Sequence, residues 1–434
     1  MAIYKLYNDI AVFGELESSE ALEQIKTVKN SGFMTYCKKA AMMADHHLGY
    51  HMPIGGVAAY RKNHIFVSGV GFDIACGNKA VKLDISAEDV LSNISTIMDD
   101  IYKNISFGVG RVNNEEVEHK IADDSRWKLI EFVLEKSEYL NKSFDKKKAL
   151  AQLGTVGSGN HFVDLFIDDA GAVWIGVHFG SRGLGHKLTT HFMSRYENPG
   201  NTVLRIGNSI DAEEVPYGLG LYSGDAYYHA MNFCGDYAYA GRDWVCNKIA
   251  KDILGANIID EVHNHHNFAW IENHHEIGEV MVVRKGATPA FPGQRGFVGG
   301  SMGDNSVILE GVESDIGKKL TMYSTVHGAG RVMGRREAAG KFKWKREKEG
   351  ERKKLVRISE GKISKQMLDD WLNDEIRLPL GVELRGGGLD EAPQAYKRLD
   401  DVLKAHEGTI KILNTLRPIG VAMAGSNEFD PYKD

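Results

Sequence analysis

The spacing of apolar residues predicts several amphipathic helices. Leu22, Ile25 and Val28 recur at helical spacing after Ser18 and Ser19, either of which can cap a helix at its N-terminus. The same periodicity predicts helices over residues 86–103 and over the segment RWKLIEFVLEKSEYL. From residue 225 to about residue 254 the pattern is helical and rich in aromatic residues, which favours packing in a core over a surface for stacking bases.

Short apolar runs separated by glycines predict buried strands. The segment HIFVSGVGFDIACGNKAVKLDIS has the pattern of two strands with a loop between them, and AVWIGVHFGSRGLGHKLTTHFMSRY that of a strand, a turn and a helix. VILEGV and LTMYSTVHGAG also resemble strands. Because no regular βα repeat is present, the sequence predicts an α+β fold with mixed sheets. We expect one large domain over residues 1–434, with a candidate basic insertion over residues 336–360.

Composition and charge narrow the class of protein. The 434 residues are 43% hydrophobic and 26% charged, which is enough apolar material for a core of normal size. The 48 glycines and 9 prolines favour tight turns and close backbone approaches over proline-rich linkers. A net charge of -6 argues against a generally basic nucleic-acid coat but is compatible with a local basic cleft.

Three features of the sequence predict a cytoplasmic protein. No run of about 20 apolar residues is present, as a membrane-spanning helix would require. The first residues lack the basic and apolar regions of a secretory signal. The cysteines are scattered, which is typical of a reducing compartment rather than of a disulfide framework. We expect any important thiol to be a ligand or a nucleophile among Cys37, Cys76, Cys234 and Cys246.

Several potential metal ligands lie in glycine-rich motifs rather than on helical faces. Asp73 and Cys76 are three residues apart, so one loop can direct both toward one point. Carboxylate, thiolate and imidazole donors together suit Mn, Fe, Co or Zn and do not suit Ca or Mg. Five ligands exceed the four of a structural zinc site, so their convergence would allow two metals bridged by the thiolate. The candidates are Asp73, Cys76, His161, His178 and His266, and spacing alone does not decide between His266 and its neighbours His263 and His265.

Glycine-rich turns beside cations and histidines indicate phosphate binding. Lys285 lies in VRKGA, Ser301 in GGSMG and Arg331 at the end of HGAGR. Main-chain N–H groups in such turns and arginine side chains are how proteins hold phosphate oxygens. The chain has no GxxxxGK[ST] sequence, which excludes a Walker-type NTPase. His327 is either a nucleophile toward phosphorus or a ligand or capping residue, and the residues alone leave this open.

Ten motifs, in this order, resemble those of the RtcB family of RNA ligases. Each motif alone is modest evidence, and the ordered set is very specific. The resemblance implies a distinctive α+β fold with a deep metal-containing cleft as its active site. It also implies an enzyme that uses GTP, two Mn(II) ions and a guanylylated histidine to join RNA ends bearing a 2′,3′-cyclic phosphate or 3′-phosphate to 5′-hydroxyl ends. The motifs are DHHLGYHMPIGGVAA, GVGFDIACG, GTVGSGNHFVDL, GVHFGSRGLGH, HHNF, VRKGATPA, GGSMG, HGAGRVMGR, LDEAPQAYK and LRPIGV.

The resemblance also implies roles for individual residues. His327 corresponds to the histidine that takes GMP. His266 is preferred over its neighbours because the family's ligand immediately precedes an asparagine, here Asn267. The implied metal ligands, with Cys76 as the bridge, are Asp73, Cys76, His161, His178 and His266. The positions implied around the nucleotide are Asn160, Asp164, Lys285, Ser301, Arg331 and Tyr396.

Three positions depart from the family's pattern. Asp164 stands where the family commonly has a glutamate, and Gly299 stands where a proline often precedes the Gly-Ser-Met-Gly turn. Near the C-terminus, Ala424 takes the place of a lysine that contacts the nucleotide, and Lys433 is a candidate replacement. We therefore interpret the chain as a divergent branch that acts in RNA repair or tRNA splicing.

Other interpretations stay open. Asp164 and Ala424 motivate an alternative function as a metal-dependent RNA-end phosphoesterase that lacks ligation. An inactive RNA-binding protein is disfavoured because every candidate ligand is present. The mostly basic run GKFKWKREKEGERKKLV is either a solvated helix or hairpin or an RNA-contacting arm. We expect RNA and, as a candidate, an archease-like activator as partners, and no membrane.

Overall fold

Two large β-sheets organise the computed structural model, which describes residues 2–30, 36–138, 140, 144–195, 202–212, 219–345 and 354–425. The first sheet has six strands, of which β2 and β3 pair in parallel and the other neighbours pair antiparallel. In spatial order the strands are β1 (Tyr4–Tyr7), β2 (Ile10–Phe13), β3 (Cys37–His47), β4 (Ile54–Arg61), β12 (Gly278–Lys285) and β11 (Asn267–His274).

The second sheet has eight strands and is also mixed. Its main path is β10 (Ile258–His265), β6 (Gly77–Leu83), β8 (Val173–Phe179), β7 (Phe162–Asp168), β20 (Ile410–Met423), β15 (Ser306–Gly311) and β14 (Arg295–Val298), all antiparallel, and β19 (Glu383–Arg385) joins β20 in parallel. Shorter pairs join β5 (His64–Phe66) to β9 (Val203–Arg205), β13 (Ala287–Pro289) to β16 (Ser324–Val326), and β17 (Lys341–Lys345) to β18 (Lys354–Ser359).

The helices of the described residues vary from one turn to seven. They are α1 (Ser19–Asn30), α2 (Val67–Val70), α3 (Ala87–Ser92), α4 (Ile94–Asn104), α5 (Trp127–Glu135), α6 (Lys146–Ala151), α7 (Arg182–Ser194), α8 (Gly224–Lys248), α9 (Arg335–Ala339), α10 (Lys365–Leu372) and α11 (Leu399–Lys404). Within these residues, no helix combines the length and apolar character that a membrane crossing requires. The prediction of an α+β fold with mixed sheets is confirmed.

The alternation of strand residues gives each sheet two buried faces. In β12, Met281 and Val283 pack with α1, α5, α7 and α8 on one side, while Val280 and Val282 pack toward β14 and β15 on the other. Residues of α4 and of the end of α8 cover the eight-stranded sheet. The aromatic residues of α8 lie in these cores, with Tyr227 fully buried, so the packing interpretation of this run is confirmed.

Local geometry changes some of the predicted elements. The helix predicted over residues 86–103 is divided at Asn93 into α3 and α4. The strand predicted in LTMYSTVHGAG is limited to β16, because Met322 and Tyr323 adopt left-handed φ angles of 52° and 48° that interrupt an extended strand. The basic run forms the β17–β18 hairpin in its described part, which bears out the hairpin reading there, and residues 346–353 of the candidate insertion lie outside the described residues.

Candidate active site

The register of the eight-stranded sheet brings three predicted ligands to one edge. Cys76 immediately precedes β6, and His161 immediately precedes β7. His178, next to the end of β8, pairs with Asn78 of β6 and with Phe162 of β7. Because these neighbours are antiparallel, the beginnings of β6 and β7 meet the end of β8. The fold therefore gathers three residues that are far apart in the sequence.

The side chains at this edge are close enough to share a metal ion. Cys76 Sγ lies 3.3 Å from His178 Nε2 and 3.6 Å from His161 Nε2. His161 Nε2 also lies 3.0 Å from Asp73 Oδ2. The ligand atoms of Cys76, His161 and His178 lie within 4.8 Å of one another, and all three residues are buried. Thiol, imidazole and carboxylate donors in this arrangement fit a borderline divalent metal.

His266 lies where the two large sheets join. The eight-stranded sheet contributes β10, which ends one residue before His266, and the six-stranded sheet contributes β11, which begins one residue after it. The centroid of the His266 ring is 5.0 Å from that of His178 and 4.7 Å from that of His327. Nδ1 of His266 is buried and has no hydrogen-bond partner among the described residues. All five predicted ligands thus converge on one junction.

Burial and neighbouring charges set the protonation of these groups. Burial is the main cause that lowers the pKa of His178 and of His266 well below the usual value, and nearby histidines lower it further. Burial alone would raise the pKa of Asp73, but its hydrogen bond to His161 and the charge of Arg182 outweigh burial, so that the pKa lies below its usual value. Neutral imidazole and ionised carboxylate are the forms that bind metals.

A buried carboxylate orients His327. Nδ1 of His327 lies 2.6 Å from Oδ2 of Asp45, which also accepts the main-chain N–H groups of His327 at 3.0 Å and of Gly328 at 3.3 Å. Burial would raise the pKa of Asp45, but the contact with His327 outweighs it and the net shift is downward. Because Nδ1–H donates to Asp45, Nε2 of His327 is the nitrogen left with a free electron pair.

Two glycines allow the backbone to pack closely around this pair. Gly330 has a φ of 76°, and a Cβ atom there would clash with the carbonyl oxygen of Asp45. Gly286 has a φ of 62°, and its Cβ would clash with Ile54 and lie 3.0 Å from Cε1 of His327. A larger residue at either position would displace His327 or its carboxylate partner.

Lys285 is a buried cation at the end of β12. Its side chain lines the same cleft, and no hydrogen bond or ion pair holds its ammonium group within the described part of the chain. Burial lowers the pKa of Lys285 to about 8. A buried cation without a partner carries a large desolvation cost. An anion bound in the cleft would offset this cost.

Arg331 and Tyr396 belong to one hydrogen-bonded cluster. Nη1 of Arg331 lies 2.8 Å from the hydroxyl oxygen of Tyr396 and 3.3 Å from Oε2 of Glu391. Arg335 and the hydroxyl of Tyr396 also donate to Glu391. The charge of Arg331 is therefore offset inside the protein, and its guanidinium stiffens this wall of the cleft.

Two unpartnered polar atoms also belong to residues that line the cleft. Oδ1 of Asp164 and Oγ of Ser301 are buried and have no hydrogen-bond partner among the described residues. Burial raises the pKa of Asp164 well above its usual value, which favours the neutral carboxylic acid. Buried polar atoms without partners are rare in native proteins. These two positions therefore suit a polar ligand.

One cavity of about 1220 Å³ is lined by the candidate metal ligands, by His327 and by Lys285. Ligand pockets commonly measure ~300–1,000 Å³, so this cleft exceeds the size needed for a single small molecule. Every residue predicted from the sequence to form the site lines it: Asp73, Cys76, Asn160, His161, Asp164, His178, His266, Lys285, Ser301, His327, Arg331 and Tyr396.

Comparison with known proteins agrees with the motifs. A family model described as tRNA-splicing ligase RtcB matches residues 24–371. The chain belongs to the RtcB family. It is 31% identical to the tRNA-splicing ligase RtcB of Archaeoglobus fulgidus, over 88% of this chain and 86% of that protein. It is 29% identical to the RNA-splicing ligase RtcB of Escherichia coli, over 88% and 89%, and 28% identical to the tRNA-splicing ligase RtcB of Thermococcus kodakarensis, over 96% and 94%.

Strand alternation in β20 decides which residues near Ala424 face the cleft. Val421 and Met423 line the cleft, whereas Ala422 and Ala424 pack in the core on the other side of the sheet. Ala424 is the first residue after β20, and its carbonyl accepts the N–H of residue 387 at 2.9 Å. Met423 and not Ala424 therefore faces the cleft, and the correspondence of Ala424 to the family's lysine stays a prediction. Lys433 lies outside the described residues.

The GGSMG turn packs against the turn that contains His327. In it, Gly299 stands where the family often has a proline. Gly299 forms a main-chain bridge with Gly328, next to His327. The N–H of Gly300 donates to Ser306 Oγ at 3.0 Å. The turn is therefore held by a main-chain bridge and by a side-chain hydroxyl although it lacks the proline.

Arg242 of α8 supports the ligands from behind and was not predicted. It is fully buried. Its Nη1 donates to the carbonyl oxygens of Ala75 at 3.1 Å and Phe179 at 2.5 Å, which are the residues next to Cys76 and His178. One guanidinium thus ties two ligand-bearing segments together.

The same arginine distinguishes the three clustered histidines. Its Nε donates to Nε2 of His263 at 2.7 Å, and its Nη2 lies 2.9 Å from Nδ1 of His265. These two rings are turned toward Arg242, and His266 is the histidine whose ring faces the cleft. Arg242 carries no local signal of its role, because α8 has the pattern of a core helix. Asp45 begins the motif DHHLGYHMPIGGVAA, but the sequence does not show its contact with His327, which is 282 residues away.

Proposed function

We propose that this protein is a GTP-dependent RNA ligase that joins 2′,3′-cyclic phosphate or 3′-phosphate ends to 5′-hydroxyl ends through a guanylylated His327. The observation that carries the proposal is the Asp45–His327 pair, whose ring lies 4.7 Å from that of His266 in a cleft lined by candidate metal ligands. Membership of the RtcB family and the names of the relatives support the ligase assignment.

His327 has the features of a nucleophile. Asp45 accepts its Nδ1–H at 2.6 Å, which directs the electron pair of Nε2 toward the cleft and stabilises the positive charge that develops on the ring during attack. In the proposed step, Nε2 forms a bond to the α-phosphorus of GTP and the bond to pyrophosphate breaks. Lys285 offers a cation for the phosphate oxygens.

The donor set suits two Mn(II) ions held by Asp73, Cys76, His161, His178 and His266. Such ions would offset the negative charge of the phosphates. The neutral imidazoles of His178 and His266 and the unpartnered Nδ1 of His266 support metal binding at this junction.

The protein's own residues suit the later steps as well. The RNA 3′-phosphate would attack the phosphorus of the GMP on His327, and the bond from phosphorus to Nε2 would break. The 5′-hydroxyl would then attack the RNA phosphate and release GMP. Arg182, at the start of α7 in the cleft wall, and Lys285 would position the phosphates. The cytoplasmic location and the need for an archease-like activator stay predictions.

Covalent labelling tests the proposal. The protein is incubated with Mn(II) and GTP labelled at the α-phosphate, then denatured and separated from free nucleotide. We expect a label that is retained on the protein, released by acid and absent in His327→Ala. His275→Ala is the matched control, because this exposed histidine lies outside the cleft. Absence of label with every divalent metal tried would refute guanylylation.

A metal-dependent RNA-end phosphoesterase is the second candidate, because Ala424 stands where the family has a lysine that contacts the nucleotide and Asp164 where it commonly has a glutamate. RNA substrates with a cyclic or 3′-phosphate and a 5′-hydroxyl distinguish the two functions. Joined strands that form only with GTP support the ligase. Opened or dephosphorylated ends without joining, and without dependence on GTP, support the phosphoesterase.

A further inference from the structure

Three rings line a wall of the cleft that the guanylylation step does not use. Tyr50 lies in the β3–β4 connection, Phe72 immediately precedes the ligand Asp73, and His186 lies in α7. The centroids of Tyr50 and Phe72 are 6.0 Å apart at 75°, and those of Phe72 and His186 are 5.2 Å apart at 30°. We call Tyr50, Phe72 and His186 the ring platform.

The ring platform is accessible rather than part of a core. Tyr50 is 49% exposed, and Phe72 and His186 are half-buried at the cleft surface. The hydrophobic clusters of the protein include Phe72 only as a partly buried neighbour. Large aromatic side chains bring most stability when they are fully buried. Packing therefore does not account for Tyr50 at the surface of the cleft.

Lysine side chains line the same cavity as these rings. Nζ of Lys285 lies 5.9 Å from the centroid of Tyr50, and Nζ of Lys187 lies 5.5 Å from that of Phe144 on the same cavity wall. Lys148 also lines this wall. Asp145, an acidic residue here, is used to cap α6 by accepting the N–H of Lys148. The cavity therefore offers both aromatic rings and lysine side chains to a ligand.

This pattern matches one class of ligand. Proteins that hold single-stranded nucleic acid combine a positively charged groove for the backbone with aromatic rings on which bases stack. A duplex hides its bases in its own stack, so the rings favour an unpaired strand. The wall belongs to the same cavity as the candidate metal ligands and begins beside Asp73. A strand on it would be continuous with the reaction centre.

We propose that the ring platform binds the unpaired nucleotides next to the RNA end that reacts, with bases on Tyr50, Phe72 and His186 and phosphates near Lys187 and Lys148. This inference rests on the proposed function, since it assigns the path of the same RNA substrate. It implies that the protein requires a short single-stranded segment at the end it joins.

Binding of a fluorescent single-stranded RNA of about 12 nucleotides with a 3′-phosphate tests the proposal. Tyr50→Ala is expected to weaken binding by about 5-fold or more, the order expected for removal of one base stack, and Tyr50→Phe to restore it. The same strand in a blunt duplex is expected to bind more weakly than the single strand. Phe132→Ala on α5 is the matched control, since Phe132 is 45% exposed and outside the cleft.

A photoreactive 4-thiouridine next to the 3′ end gives an independent measurement. Crosslinks mapped to the ring platform support the proposal. Equal affinity of Tyr50→Ala and wild type, no binding of RNA by wild type, preference for the duplex, or crosslinks only outside the ring platform would each overturn it. The labelling of His327 by GTP is measured without RNA and does not depend on the ring platform. Failure of the ring-platform proposal can therefore be distinguished from failure of the ligase proposal.

Discussion

At the residue scale, the chemistry of His327 depends on one carboxylate. Asp45 holds Nδ1 of His327 at 2.6 Å and accepts two main-chain N–H groups of the same turn. An ionised aspartate has no proton to donate, so it acts only as a hydrogen-bond acceptor. The ring therefore carries its proton on Nδ1, and Nε2 is unprotonated. The contact also lowers the pKa of Asp45 against the effect of burial.

Asp45→Asn is expected to slow guanylylation of His327 by about 100-fold or more, because the amide can donate to Nδ1 and stabilise the wrong tautomer. The rate of label incorporation from α-labelled GTP measures this. The melting temperature should also fall, because Oδ2 accepts two main-chain N–H groups that an amide nitrogen in its place cannot accept, so the rate is measured well below the unfolding transition. A rate near that of wild type would show that Asp45 does not set the tautomer.

Asp164 is expected to make stability depend on pH. Burial raises the pKa of its carboxyl in the folded state above that in the unfolded chain. Protonated Asp164 therefore contributes its full stabilisation below the pKa of the unfolded chain, which is about 4. This stabilisation is lost as the pH rises toward the pKa of Asp164 in the folded protein. Asp164→Asn removes this loss, so its melting temperature should exceed that of wild type by about 1–3 °C at pH 7.5 and match it near pH 4. Asp100→Asn is the control, because Asp100 is exposed and its replacement should leave the melting temperature unchanged at both pH values. The same difference in melting temperature between Asp164→Asn and wild type at pH 4 and pH 7.5 would show that Asp164 does not cause the pH dependence.

At the scale of elements, strand register and strand ends determine the site. One edge of the eight-stranded sheet holds the beginnings of β6 and β7 and the end of β8, because Asn78 and Phe162 both pair with His178. His266 bridges the two large sheets between β10 and β11. The β17–β18 hairpin follows directly after α9, whose first residue Arg335 lines the cleft.

The hairpin is expected to contact RNA beyond the cleft. Lys341 and Lys343 are exposed and lie on the same face of β17, since side chains two apart in a strand point the same way. Replacing both with glutamine should weaken RNA binding and reduce the slope of log affinity against log salt by about 1.4, or about 0.7 for each RNA phosphate that a lysine no longer neutralises. Lys404→Gln with Lys411→Gln, both exposed outside the cleft, is the control. An unchanged slope would show that the hairpin is a solvated surface element that does not contact RNA.

At the scale of the whole molecule, the candidate metal ligands connect both large sheets. Cys76, His161 and His178 belong to one sheet, and His266 joins it to the other. Anything that binds there in the folded state alone stabilises the fold by mass action. Arg242 already links the same segments through main-chain carbonyls.

Mn(II) is therefore expected to raise the melting temperature. At a free concentration 100 times its dissociation constant, it should raise the free energy of unfolding by about 2.7 kcal/mol. Differential scanning calorimetry with and without Mn(II) measures the shift. Cys76→Ser should lose most of it, whereas Cys37→Ser in β3 should keep it even if its own stability is lower. Equal shifts in the two variants would exclude Cys76 as a ligand.

The sequence by itself determined much of this protein. Helical spacing predicted α1 and α5, and the mixture of strands and helices predicted the α+β class, because local periodicity decides which face of an element is buried. The ordered motifs led to the RtcB family and to all twelve predicted residues that line the cleft. These signals were available because each motif is a short, contiguous run.

Only the tertiary structure decided which groups touch. Asp45 and His327 lie in two motifs 282 residues apart, so the sequence did not show that they touch. Arg242 lies in a helix with the pattern of ordinary core, so no local signal linked it to the site. Strand alternation turned Met423 and not Ala424 toward the cleft, and Glu391 was found to offset the charge of Arg331. Such pairings follow from strand register and long-range packing, which a linear pattern of residues does not encode locally.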